Sequence, residues 1–246
     1  MSTRPHHTIA QQLNAGQLAI SNSLSDPEIQ SLVAQFGYPA DKLSEGKALY
    51  DAALAAVNAE KAAAGAQQES TRLLEQAETS ARDAYEALAR VARAVFLKDK
   101  SQLIALGLSG NTPKDTAGFL AAAYTLFDNA RSLSALADYG YDSPKLQSER
   151  VKIAAYDTAN QGQESAKGAA QQSTREQDSA LQALNAWTAQ YLKIAKVALS
   201  GKPQLLEKLG VLARTSKTAA QRAAPKKASA TRAAGQTIAI TSRRSR

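Results

Sequence analysis

Residues 36–108 recur at 139–211, at a constant offset of 103 and without a gap. FGYPADKL pairs with YGYDSPKL, and LIALGL (103–108) with LEKLGV (206–211). GAQQESTR (65–72) pairs with GAAQQSTR (168–175), sharing Gly, Ala, Gln, Ser, Thr and Arg at six of eight positions. Eighteen of the 73 aligned positions are identical and only six of those are Ala, so composition alone does not produce the match. A duplicated unit of about 100 residues is too long for a solenoid repeat, so the expectation is two related bundles or one pseudo-symmetric bundle.

The material of that unit is helical. Fifty-two of the 246 residues are Ala, and only 5% are aromatic. Small side chains suit close-packed helices better than sheets. Leu74, Ala77, Ala81, Ala84, Leu88, Val91 and Val95 fall at three- and four-residue steps. Their copies are Gln177, Ala180, Leu184, Trp187, Tyr191, Ile194 and Ala198. That is one stripe of an amphipathic helix, written twice. The second stripe has larger side chains where the first has small ones, so large residues of one copy can fill space left by the other. Asp26-Pro27-Glu28 reads as a helix start, and Thr112-Pro113 and Ser143-Pro144 repeat the device. Helices are expected near 26–36, 41–64, 70–98, 101–107, 113–138, 143–166, 173–200 and 203–210.

The breaks inside the long segments rest on turn chemistry. From Asn58 to Arg72, and from Asp157 to Ser179, no apolar side chain exceeds Ala. Such stretches cannot anchor a wide core. Either the chain turns near Gly65 and Gly168, or one helix runs through. Ser173-x-x-Glu176 has the form of a capping box, which favours a new start and makes a hairpin the expectation. On that reading Gln68, Arg72, Gln171 and Arg175 are partner-contact candidates, one pair at each tip. The competing reading is that both copies need the same turn and cap. Tyr38 and Tyr141 each follow an aromatic-Gly step, expected to pack a loop against the bundle.

No catalytic constellation is visible. Cysteine is absent, and the only histidines are His6 and His7. Disulfide scaffolds, Cys-based metal sites and Ser–His or Cys–His pairs are therefore excluded. There is neither a phosphate-binding Gly loop nor a dinucleotide fingerprint. The expectation is a protein with no enzyme activity, no cofactor and no metal. The start of the chain lacks an export signal, and no stretch reaches the roughly 18 apolar residues of a membrane span. A cytoplasmic, bacterial-style protein is expected.

Charge is distributed unevenly. Residues 212–246 hold nine basic residues and no acidic one: Arg214, Lys217, Arg222, Lys226, Lys227, Arg232, Arg243, Arg244 and Arg246. Residues 1–211 hold 21 basic and 22 acidic residues. Such a neutral body with a cationic end reads as a tethered arm rather than a basic fold surface. Residues 214–236 have no large apolar side chain, so the arm is expected to lack a fold of its own. Its charges fit non-specific nucleic-acid binding through counterion release.

The fold class expected is all-α: a tandemly duplicated helical unit forming an elongated antiparallel bundle, with a disordered basic C-terminal tail. The divisions are a flexible N-terminus at 1–25, repeats at 26–108 and 109–211, and the tail at 212–246. The function expected is a scaffold whose bundle meets protein partners and whose tail meets a polyanion. Ala-rich amphipathic helices with a Lys/Ala/Pro tail also resemble phasins of polyester storage granules, which implies a granule- or membrane-surface coat. A third reading is an enzyme or ligand carrier using the bundle interior. The sequence leaves oligomeric state open.

Overall fold

Long runs of Ala, Leu, Gln, Glu and Lys favour helix over most of the chain, and helix is what they form. The computed structural model describes residues 8–211, and no strand occurs among them. Helix α1 spans Ile9–Ser25, α2 Pro27–Ala34, α3 Ala40–Val95, α4 Lys100–Ala105, α5 Thr116–Ala130, α6 Ser143–Ala198 and α7 Pro203–Lys208. A 3-10 segment, Ser134–Tyr139, precedes α6. Shifting α3 by 103 residues gives the bounds of α6, and shifting α4 gives those of α7. Four glycines carry positive φ: Gly37, Gly107, Gly140 and Gly210, again two pairs 103 apart. Each follows a helical segment, and the next amide reaches back five residues: Tyr38 to Val33, Leu108 to Leu103, Tyr141 to Leu136 and Val211 to Leu206. This turn needs a left-handed residue, which only Gly adopts without strain.

Three expectations are corrected. There is no turn at Gly65 or Gly168: α3 and α6 each run 56 residues without a break. A helical Gly costs only about 1 kcal/mol against Ala, and the neighbours are strong helix formers. The Ser173-x-x-Glu176 pattern does not cap a helix, since Glu176 accepts from Gln172 on the same helix. Thr71 and Thr174 donate back to the carbonyls of Gln67 and Ala170, four residues earlier. Nothing lies within 4 Å of a Cβ built on Gly65 or Gly168. Gly65→Ala is therefore expected to raise stability by about 0.5–1 kcal/mol, read as a higher urea midpoint. A lower midpoint would contradict the continuous helix.

The second correction concerns the N-terminal stretch. Residues 9–25 are helix, closed by a reciprocal capping box between Thr8 and Gln11, and Gly16, Ala19, Ile20 and Ser23 are buried. Its buried stripe is made mostly of small residues, which gave little hydrophobic signal. Third, the single helix expected over 113–138 is α5, a turn and the 3-10 segment. Asp115, not the Thr112-Pro113 pair, accepts from the Gly118 amide to cap α5. Asp26 caps α2 as expected, accepting from the Glu28 and Ile29 amides with Pro27 in the first turn.

Among the described residues the chain divides into two compact units, one made of 8–47 with 185–211, the other of 48–184. The first contains α1, α2, the first turns of α3, the last turns of α6, and α7. Its core includes Ala19, Ile20, Ile29, Val33, Tyr38, Leu43, Trp187, Tyr191, Leu199 and Leu205. The second contains most of α3, α4, α5, the 3-10 segment and most of α6. There Tyr85, Leu88, Phe119, Leu126, Phe127, Leu136, Ile153 and Tyr156 form the main core.

Both units use the same device to hold a short helix end. In the first, the Asn22 amide donates to the Lys208 carbonyl at 2.6 Å. In the second, Asn129 donates to the Ala105 carbonyl at 2.6 Å. The acceptors are 103 residues apart, the donors 107. At that second offset the buried stripe of α1 maps onto Ala123, Leu126, Phe127 and Ala130 of α5. Each unit thus joins the front of one repeat to the closing helix of the other.

Candidate interaction surfaces

Within the second unit α3 and α6 run antiparallel. Gln177 donates to the Glu60 carboxylate at 3.5 Å, while Ser70 and Leu73, further along α3, face Ala155–Gly162, earlier on α6. No side chain is buried between Val57 and Ala81 on α3, or between Tyr156 and Gln177 on α6. Ala, Ser, Thr and Gln make most of this seam, and Leu74 and Ala77 at its end pack against the main core. Between the two helices lies an open groove of about 470 Å³ lined by Ser70, Leu73, Ala155, Thr158, Ala159 and Gly162. Leu73 is 46% exposed there.

The four partner-contact candidates sit on this stretch. Gln68, Arg72, Gln171 and Arg175 are all exposed. Gln68 and Arg72 are one turn apart on α3, and Gln171 and Arg175 one turn apart on α6, so each pair shares a helix face. They lie mid-helix rather than at tips. Arg72 is held by Glu69, with contacts of 2.6 and 2.9 Å to its carboxylate. That hydrogen-bonded pairing keeps the Glu69 carboxyl below its ordinary range. Exposed pairs of this kind add little stability.

Arg214, Lys217, Arg222, Lys226, Lys227, Arg232, Arg243, Arg244 and Arg246, like His6 and His7, lie outside the described residues.

Sequence reasoning missed a buried carboxylate. Glu149 is 6% exposed. It sits one turn after Lys145 and one before Lys152, at 2.6 and 2.7 Å. Burial pushes its carboxyl up, but hydrogen bonds from the two lysines more than offset this and hold it below its ordinary 4.5. Tyr141 and Arg90 share the locality, since burial first and the Glu149 charge second raise the Tyr141 hydroxyl, which Arg90 opposes. A signal was present in the alignment: Glu149 replaces Gly46, just as Ala84 stands where Trp187 stands in the copy.

Glu149 also sets a pH dependence. Its folded-state value is depressed, so its contribution is complete above 4.5 and is lost as pH falls through the lower folded-state value. Glu149→Gln should cost about 1–2 kcal/mol at neutral pH. It should also flatten the stability loss below 4.5, measured as urea midpoints from pH 7 to 3. An unchanged acid slope would place that sensitivity elsewhere.

Two further polar groups of the second unit are engaged locally. Arg150 binds Asp128 at 2.6 Å and lies over the Tyr124 ring, and Tyr124 donates to Asp157 at 3.3 Å. Among the described residues no three His, Cys, Asp or Glu are grouped to hold a metal ion. No helix among them is long and apolar enough to cross a membrane. No family model, curated protein or solved structure matches the chain.

Proposed function

We propose that this chain is a non-enzymatic helical scaffold built from a duplicated unit, with residues 212–246 as a polyanion-binding arm. The observation that carries this reading is the charge division. Nine basic and no acidic residues follow Val211, against a net −1 for everything before it. Each Lys or Arg brought to a phosphate releases a counterion, which gives affinity without sequence preference. Nucleic acid is the partner of that chemistry, and the long exposed faces of α3 and α6, with Gln68, Arg72, Gln171 and Arg175, are the protein-facing surface.

The test replaces all nine tail cations with Gln in the full chain. Binding to two unrelated DNA duplexes at low salt is measured by fluorescence anisotropy. The wild-type chain binds both equally and the variant loses at least about 100-fold. Retained binding by the variant, or strong discrimination between the duplexes, would overturn the reading.

A further inference from the structure

Helix α1 is tied to the first unit more thinly than its counterpart α5 is tied to the second. Its buried residues Gly16, Ala19, Ile20 and Ser23 stand where α5 has Ala123, Leu126, Phe127 and Ala130, so each is the smaller or the more polar of its pair. Ile20 is the one large apolar side chain that α1 buries, whereas α5 buries Phe119, Leu120, Leu126 and Phe127. Apolar area removed from water is what chiefly holds a helix in place, and α1 supplies little of it.

The contacts that α1 makes with α6 are polar. The Asn185 amide donates to the Gln12 side chain, and the Tyr191 and Ser23 hydroxyls bond each other. Thr188 lies between Asn185 and Tyr191 on α6, three residues from each, and so on the face that meets α1. It is 7% exposed, and its hydroxyl has no hydrogen-bond partner. A buried polar group left unpaired works against the packing that covers it. The same three positions of α3 hold Arg82, Tyr85 and Leu88, and Phe119 stands where α1 has Gln12. There the Arg82 guanidinium lies 4.4 Å over the Phe119 ring, and Tyr85 meets that ring edge-on at 5.4 Å. The second unit thus holds its helix by aromatic packing, the first by side-chain hydrogen bonds that water can replace.

Only Asp26 separates α1 from α2. Its carboxylate caps α2 at the Glu28 and Ile29 amides and binds Lys208 at 2.8 Å. Asp26 is therefore a fixed point about which α1 can leave.

We propose that α1 is a detachable strap. It undocks from α6 about Asp26 while the rest of the first unit stays folded, and it uncovers the α6 face of Asn185, Thr188 and Tyr191. Release gives the Thr188 hydroxyl water to bond with. The unit then has a closed and an open form, independently of the tail and of any polyanion.

The test is hydrogen exchange of the unmodified full chain at neutral pH, followed by mass spectrometry. After correction for intrinsic rates, amides 13–25 of α1 are expected to exchange at least about 100-fold faster than 186–198 of α6 and 120–130 of α5. Urea below the unfolding midpoint should leave the α1 rate nearly unchanged, because a strap exposes little surface on opening, and should speed exchange in α6. Thr188→Val should slow exchange in α1 about tenfold, since the closed form then buries no unpaired hydroxyl. Equal protection of α1 and the last turns of α6 overturns the strap. Exchange of the two together, with one steep urea dependence, is unfolding of the whole unit and overturns it as well. An α1 rate that Thr188→Val leaves unchanged or raises overturns the part given to the buried hydroxyl.

Discussion

Replacing Trp187 with Ala should remove about 3–5 kcal/mol from the stability of the first unit. The ring is 9% exposed. It stacks on Tyr191 with centroids 5.2 Å apart and meets Tyr38 edge-on at 5.8 Å. Tyr191 is fully buried and bonds the Ser23 hydroxyl, so losing the indole loosens the layer that ties α6 to α1. The measurement is urea unfolding followed by far-ultraviolet circular dichroism. Trp187→Phe should lose much less, about 1 kcal/mol. It keeps a ring in place and removes an indole N–H that is buried without a hydrogen-bond partner. A loss below about 1 kcal/mol for Trp187→Ala would mean that the ring does not organise the core.

The partner of that ring is an absence of side chain. A Cβ at Gly46 would lie 2.5 and 2.7 Å from Trp187 ring carbons. An indole held between two tyrosines cannot retreat cheaply, so Gly46→Ala should cost about 2–3 kcal/mol by overpacking, although the same change in an open helix gains about 1 kcal/mol. Combining Gly46→Ala with Trp187→Ala should cost less than the sum of the single changes. The expected coupling is about 1–3 kcal/mol, since the added methyl then enters the space the ring left. Additive losses would show that the two positions act independently.

These two residues also show how much was legible beforehand. The stripe from Leu74 to Val95 and its copy from Gln177 to Ala198 were read from spacing alone, and every member is buried or half-buried. The idea that large residues of one copy fill room left by the other has a concrete instance in Trp187 against Gly46. The specific pair could not be read from one helix, because packing joins residues about 140 positions apart. Only the reciprocal swap, Gly46 and Trp187 against Glu149 and Ala84, hinted at it.

The errors have two opposite causes. Gly65, Gly168 and the Ser173-x-x-Glu176 pattern are local signals worth about 1 kcal/mol each. A run of 56 residues rich in strong helix formers overrides them. Helix α1 was missed for the opposite reason, since Gly16, Ala19 and Ser23 bury well and advertise little. The tip placement of Gln68, Arg72, Gln171 and Arg175 fell with the hairpin, and their exposure remains. The pairing of Asn22 with Lys208, and of Asn129 with Ala105, has no sequence signature, because the acceptors are backbone carbonyls.

The functional account stands on the arm carrying the affinity while the helices carry the frame. Its most direct test is the dependence of DNA affinity on salt for the full chain. The nine tail cations set a limiting slope of log K against log salt of about −8 for duplex DNA. A slope between about −5 and −8, falling toward zero when the nine are replaced by Gln, is the expected result. A slope near zero in the wild-type chain, or one the replacement leaves unchanged, would contradict the account.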